Sequence, residues 1–201
     1  MARRSKFQRK LPEERRKTLI AATLKCLGEQ GHAGLSVRKI SAEAGISIGL
    51  INHHYPSKDA LVAQAYETLA MALLDAAKDA VAQAAPAPRD RLNAFFTATL
   101  AAPSFDQGTF RAWVVFWGMI GDSKILAETH DRTYGEFRAF LESLLLENAS
   151  HCKRPIADIR LAAIGLSALM DGLWLERCLN PATFSIEEAL QLCHAWADSI
   201  Y

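Results

Sequence analysis

Residues Ser36 to Ala60 read SVRKISAEAGISIGLINHHYPSKDA, and the fold of the chain turns on how this stretch is punctuated. Three serines stand just before helix-compatible runs, and a serine hydroxyl readily accepts a hydrogen bond from the free N–H groups of a helix's first turn. Ser36 is expected to cap a short helix with Val37, Ile40 and Ala44 inward, stopped by Gly45. Ser47 caps a second short helix, which ends by His54 because Pro56 biases Tyr55 away from the helical region. Ser57 caps a long Ala- and Leu-rich helix that fades before Pro86 and Pro88. Two short helices joined by a tight Gly-containing turn make a helix-turn-helix, whose second helix fits a DNA major groove about 12 Å wide. Ile46 plugs the turn, Ile40 and Ile51 hold the pair against a preceding helix, and Ser47, Ile48, Gly49, Asn52 and His53 face outward.

Two residues here break local rules. Gly49 sits inside a helix, at a cost of about 1 kcal/mol relative to Ala, which points to a close approach by something outside the helix. Lys58 occupies the first turn of a helix, where the dipole disfavours a cation. A phosphate at that end satisfies the lysine and the free N–H groups together. Charge is distributed to match: residues 1–60 carry twelve Lys/Arg against five Asp/Glu, a balance of +7, while residues 61–201 sum to −6. The first ten residues hold Arg3, Arg4, Lys6, Arg9 and Lys10 with no acid. A basic head on an acidic body implies that the head meets a polyanion. In this reading Arg3, Arg4, Arg38 and Lys58 hold phosphates, Asn52 and His53 reach base edges, and Ile48 touches thymine methyls. His53 and His54 make a poor metal chelate, since adjacent helical side chains point about 100° apart. His54 reads instead as a core or hinge residue beneath the fourth helix.

Working outward, Pro12, Glu13 and Glu14 suit the first turn of a first helix, whose inner face carries Leu19, Ile20, Leu24 and Leu27 and which Gly31 stops. Beyond Pro88 helices are expected over roughly 89–101, 105–121, 123–150, 155–179 and 185–200. The sum is an all-α chain of about nine helices, with a three-helix head at 1–56 bearing a basic N-terminal arm and a helical effector-binding and dimerisation body at 57–201. With 50% apolar and 22% charged residues, the 201-residue chain has enough core to fold without metals or disulfides. The stretch Leu161–Leu175 contains Asp171 and falls short of the ~20 apolar residues a membrane span needs. The N-terminus lacks the apolar segment of a signal peptide. Cys26, Cys152, Cys178 and Cys193 have no CxxC spacing and read as reduced thiols, so a cytoplasmic protein is expected.

The residues Ile40-Ser41-x-x-Ala44-Gly45-Ile46-Ser47, Gly49, His53-His54-Tyr55 and Ser57-Lys58-x-x-Leu61, with about 140 helical residues behind them, resemble the DNA-binding head of the tetracycline-repressor (TetR) family. The resemblance implies DNA contacts from Val37, Arg38, Ser47, Ile48, Gly49, Asn52, His53 and Lys58. Asn52 departs from the family's usual tyrosine, a phosphate ligand, so it either reads a base or contributes little. Two body patches, Ala112-Trp113-Val114-Val115-Phe116-Trp117 and Ala168-Leu169-Met170-Asp171-Gly172-Leu173-Trp174-Leu175, resemble the choline-responsive betaine-inhibitor (BetI) regulators. The implied function is a dimeric repressor that leaves a palindromic double-stranded operator on binding choline or a related quaternary ammonium, controlling glycine betaine synthesis.

The residues themselves leave the effector site open between two readings. Trp113, Phe116 and Trp117 share a helix face at i, i+3 and i+4, and Asp171 and Trp174 lie at i and i+3 on another helix. Aromatic faces and a carboxylate are what a quaternary ammonium needs, since it donates no hydrogen bond and is held by cation–π contact and charge. The same stripe also suits ordinary core, with Asp171 capping or pairing with Arg177 or Arg160. The last two helices are apolar on more than one face, through Leu161, Ile164, Leu166, Leu169 and Leu173 and then Ile186, Leu190, Leu192 and Trp196. Such helices need a second partner, and two copies of the hairpin make a four-helix dimer interface. No nucleophile elbow, phosphate loop or HExxH motif is present, so neither catalysis nor a cofactor or bound metal is expected. A regulator sensing another small molecule, or a metal or thiol signal through His151, Cys152, Cys193 and His194, is the alternative.

Overall fold

Each of the three serine caps forms. The Ser36, Ser47 and Ser57 hydroxyls accept from the backbone N–H groups of Lys39, Leu50 and Ala60, at 3.3, 3.4 and 3.0 Å. In the computed structural model, which describes residues 12–100 and 107–200, they start the helices α2 (Val37–Ala44), α3 (Ile48–His54) and α4 (Lys58–Gln83). Gly45 ends α2 at φ 63°, a left-handed conformation that suits glycine, and its N–H bonds back to the carbonyl of Ala42. The Ser41 hydroxyl donates to the carbonyl of Ile46 at 2.6 Å and ties the turn shut. Ile40 and Ile51 are buried, and Ile46 packs partly buried against the same core.

The first helix, α1 (Pro12–Gly34), is kinked at Gly31, whose φ of 65° interrupts it before a last short turn. Five further helices follow: α5 (Pro88–Leu100), α6 (Gln107–Ile120), α7 (Lys124–Cys152), α8 (Ile159–Leu179) and α9 (Ile186–Ser199). The described residues thus form nine helices and no strand. The start of α8 differs from expectation by four residues. Lys153 ends α7 in a left-handed conformation, and the Asp158 carboxylate accepts from Leu161 N–H at 3.0 Å, so the cap sits past Pro155 rather than at it. A capping box with Ser185 and Glu188 opens α9.

One continuous apolar core runs from Leu19 and Leu27 of α1 through Ile40 and Ile51 to Phe95 and Phe96 of α5, Leu141 of α7 and Ala197 of α9. The first three helices are not an isolated unit, because α1 packs extensively along α6 and also against α4. At the α1–α6 crossing a Cβ on Gly28 would lie 2.7 Å from the backbone oxygen of Gly108, so only a bare backbone allows this approach. The hairpin of α8 and α9 closes as tightly, with a Cβ on Gly165 falling 2.5 Å from the Trp196 ring. No helix of the described residues is long and apolar enough to cross a membrane.

Replacing Gly28 by Ala adds about 1 kcal/mol of helix propensity, but it forces two backbones apart and is expected to cost about 2–3 kcal/mol by overpacking, a net loss of about 1–2 kcal/mol. The steric term wins, so Gly28→Ala lowers the melting temperature by roughly 2–8 °C in a thermal unfolding scan. An unchanged or higher midpoint would contradict the close approach.

Candidate DNA interface and effector cavity

The exposed face of α3 carries Ile48, 42% exposed, together with exposed Gly49, Asn52 and His53. A large apolar side chain left in water on a seven-residue helix is a natural contact for a thymine methyl. Nothing within 4 Å would meet a Cβ on Gly49, so no neighbour in the described chain requires glycine there. Ser47 is exposed, with its hydroxyl engaged in the cap of α3. Arg38 is exposed on α2 while Val37 beside it is half-buried. Lys58 lies half-buried in the first turn of α4, next to Asp59, and forms no ion pair among the described residues. Arg3 and Arg4 fall outside the described residues. His54 is half-buried with its Nε2 enclosed and lacking a hydrogen-bond partner, which suits the hinge position read from the sequence rather than metal ligation.

A second site lies among five helices of the body. The cavity between them opens to solvent, and about 580 Å³ of space lies between its side chains when the mouth is counted. Trp113 and Trp117 reach it from α6, and Met170, Asp171 and Trp174 from α8. Trp117 stands edge-on to Trp174 at 5.8 Å between centroids, and Trp113 lies 6.2 Å from Trp117. Phe116 is the exception among the sequence candidates. It is fully buried and packs edge-on to Tyr66 at 5.2 Å, and it does not line the cavity. Adjacent helical residues point about 100° apart, so the face that presents Trp113 and Trp117 to the cavity turns Phe116 into the core.

Sequence reading missed the remaining walls. Tyr134, Phe137 and Thr133 of α7, Ala70 and Leu73 of α4, and Thr99 of α5 complete the cavity. Tyr134 and Phe137 show the same i, i+3 spacing as the residues picked out on α8, but nothing local marks them out from Phe140 or Phe95. Both threonine hydroxyls donate to helix carbonyls, Thr99 to Phe95 at 2.9 Å and Thr133 to Thr129 at 3.0 Å. Their hydroxyl protons are therefore already committed to the helix backbone.

Asp171 gives the cavity its charge. The alternative pairings do not form: Arg177 donates weakly to the carbonyl of Phe184 at 3.5 Å, Arg160 is exposed, and Asp171 has no ion pair among the described residues. Burial without a compensating cation pushes its carboxyl up to about 7. Among the described residues no lysine or arginine lines the cavity. The site is an aromatic box with one poised acid. The four residues of the metal or thiol alternative do not converge. His151 and Cys152 are exposed at the end of α7, Cys193 is fully buried, and His194 bonds Asn93 at 2.9 Å. Burial pushes the Cys193 thiol up to about 12, and no group of three or more metal-ligating side chains occurs among the described residues.

A helix-turn-helix packed against a helical body that holds an aromatic cavity is the architecture of a one-component transcriptional regulator. Comparison with known families gives the same answer at both ends: residues 19–65 match the model of bacterial regulatory proteins of the tetR family, and residues 88–201 match the C-terminal region of BetI-type transcriptional repressors. The chain belongs to the TetR family, as a transcriptional repressor of the BetI type and not an enzyme. Among curated relatives, the BetI regulator of Burkholderia thailandensis is 32% identical over 92% of this chain and 93% of its own. BetI 1 of Chromohalobacter salexigens is 29% identical over 92% and 89%. A transcriptional regulator of Pseudomonas aeruginosa PAO1 superposes with a TM-score of 0.89 at 47% identity, covering 97% of this chain and 94% of that one. A regulator from Saccharomonospora viridis, solved in complex with choline, shares the fold at 18% identity, with a TM-score of 0.78 over 92% and 96% of the two chains.

Removing the Lys58 ammonium should weaken binding to all DNA sequences alike, because a phosphate contact carries no base information. For Lys58→Ala the slope of log affinity against log salt is expected to shrink by about one unit in an anisotropy titration. A slope equal to that of the unmodified protein excludes the phosphate contact.

Proposed function

We propose that this chain is a dimeric repressor that binds a near-palindromic operator and releases it when choline, or a closely related quaternary ammonium, enters the body cavity. It thereby controls glycine betaine synthesis from choline. The observation that carries the effector reading is the half-buried Asp171, without an ion pair among the described residues, in a cavity walled by Trp113, Trp117, Trp174 and Tyr134 and lined by no lysine or arginine among the described residues. Such a box favours a cation without hydrogen-bond donors on its head. A ligand carrying a carboxylate meets Asp171 with no cation to offset the repulsion. The curated relatives named BetI and the choline complex of the fold neighbour support the same choice.

The DNA half rests on residues 1–56 as the reading head and residues 57–201 as sensor and dimer module. Arg3, Arg4, Arg38 and Lys58 hold phosphates, while Val37, Ser47, Ile48, Gly49, Asn52 and His53 face the groove. Leu161 and Leu179 of α8 and Leu192 of α9 remain 57%, 64% and 49% exposed in the single chain, as expected of a hairpin that pairs with its copy. Pairing through α8 and α9 puts two α3 helices one DNA turn apart, about 34–36 Å. The helix α4 joins the halves: Lys58 opens it at the head, and Ala70 and Leu73 line the cavity about 18 Å further along. Ligand that prefers a different placement of α4 shifts the population toward a head separation that misses the groove spacing.

Fluorescence anisotropy on the DNA upstream of the gene tests both halves. Operator binding that choline weakens is the expected result, whereas operator binding indifferent to choline leaves the repressor and removes the effector. Trp174→Ala should lower choline affinity by about 1–2 kcal/mol, roughly 5–30-fold, with unchanged affinity for DNA in the absence of choline. The pH dependence has a definite sign. Choline carries a fixed charge, so the titrating partner is Asp171, neutral below about 7 and ionised above. Choline affinity should rise about tenfold per pH unit on approaching 7 from below and level off beyond it, and Asp171→Asn should abolish this dependence. A flat profile in the unmodified protein would argue against Asp171 as the counter-ion.

A further inference from the structure

Tyr66 of α4 is fully buried behind the cavity without lining it, and its hydroxyl shares a 2.7 Å hydrogen bond with Nδ1 of His130 on α7. Each partner of this bond leans on a different cavity wall. The Tyr66 ring meets Trp113 edge-on at 5.3 Å, and the His130 ring lies 4.9 Å from Tyr134 at an interplanar angle of 31°. Trp113 belongs to α6 and Tyr134 to α7, and both face the cavity. A ligand drawing these two aromatics inward acts on both ends of one bond. Tyr66 also lies between the cavity and the head on α4, one turn before Ala70 and eight residues after Lys58.

The residues of α4 that line the cavity, Ala70 and Leu73, are apolar and tolerate sliding. The Tyr66–His130 bond does not, because hydrogen bonds weaken steeply as distance and angle depart from ideal. Tyr66 has one further hydrogen-bonding neighbour in Thr133, whose hydroxyl is already committed to the carbonyls of Thr129 and His130. Asp131 and Arg138 are the charged groups nearest in influence to His130, and Asp171 acts on Tyr66 from α8. A directional bond in a packed interior has two states, made and broken, and a two-state element is what coupling between distant sites requires.

We propose that the Tyr66–His130 hydrogen bond is the latch through which the occupied cavity moves α4, so that Tyr66 and His130 set the coupling between effector and operator without contacting either. This rests on the effector reading given above. The bond holds α4 against α7 in the DNA-competent state, and ligand packed on Trp113 and Tyr134 opens it.

The test measures operator affinity with and without choline by anisotropy, and choline affinity of the free protein by tryptophan fluorescence. Tyr66→Phe and His130→Ala are expected to keep both end affinities within about threefold, while the loss of operator affinity caused by choline shrinks at least fivefold; couplings of about 5–150-fold leave room to see this. His130→Gln, whose carbonyl accepts from the Tyr66 hydroxyl, should recover much of the response. Full coupling in Tyr66→Phe and His130→Ala overturns the latch, as does joint loss of coupling and choline binding, which makes the pair part of the cavity. If Tyr66→Phe fails to fold, the His130 variants decide, since that side chain is half-exposed. A wild-type protein that binds DNA but ignores choline refutes the effector and not the latch. Hydrogen exchange of the ligand-free protein then decides: faster exchange around residues 64–70 of α4 in His130→Ala supports the latch, and unchanged exchange overturns it.

Discussion

The approach of α1 to α6 at Gly28 and Gly108 holds the rest of the molecule in relation. A Cβ at Gly28 has no room beside the Gly108 carbonyl, so the two helix backbones touch where side chains would normally keep them apart. From that crossing α1 continues toward the helix-turn-helix, and α6 continues toward the cavity with Trp113 and Trp117. Close-packed interiors transmit displacement instead of absorbing it. The apolar core that runs unbroken from Leu19 to Ala197 makes this contact part of a single packed body.

Within that body two helices bear on both candidate sites. The helix α4 starts with Lys58 beside α3 and lines the cavity with Ala70 and Leu73, and α6 presents the tryptophans while packing along α1. The cavity is electrostatically unfinished. Asp171 is an acid with no partner among the described residues, in surroundings that push its carboxyl up to about 7. An unpaired, half-buried carboxyl is tolerated where a ligand completes it, since desolvating an uncompensated charge is costly and favours the protonated form. The exposed Ile48 face of α3 and the empty space beside Gly49 are unfinished in the same sense in the head.

The helix-turn-helix was legible almost residue by residue. Ser36, Ser47 and Ser57 cap, Gly45 turns left-handed, and Ile40 and Ile51 are buried, because capping and turn formation are decided within three or four residues of chain. The cavity was legible only in part. Trp113, Trp117, Asp171 and Trp174 stood out by spacing and do converge, but spacing also selected Phe116, which packs on Tyr66 in the core. Tyr134, Phe137, Thr99 and Thr133 carried no signal of their own, and neither did the Tyr66–His130 bond, whose partners are 64 residues apart.

The sequence by itself determined the all-helical architecture, the serine-capped helix-turn-helix and the split between a basic head and an acidic body. These follow from hydrophobic period, capping chemistry and charge, each written over a few neighbouring residues. Only the tertiary structure decided which aromatics face a cavity and which face the core, that Asp171 stands without a cation, and that α1 and α6 meet backbone to backbone. Those features arise where faces of five helices, far apart in the chain, converge. Periodicity can mark a face as apolar, but it does not specify whether the space opposite that face is filled by protein or left for a ligand.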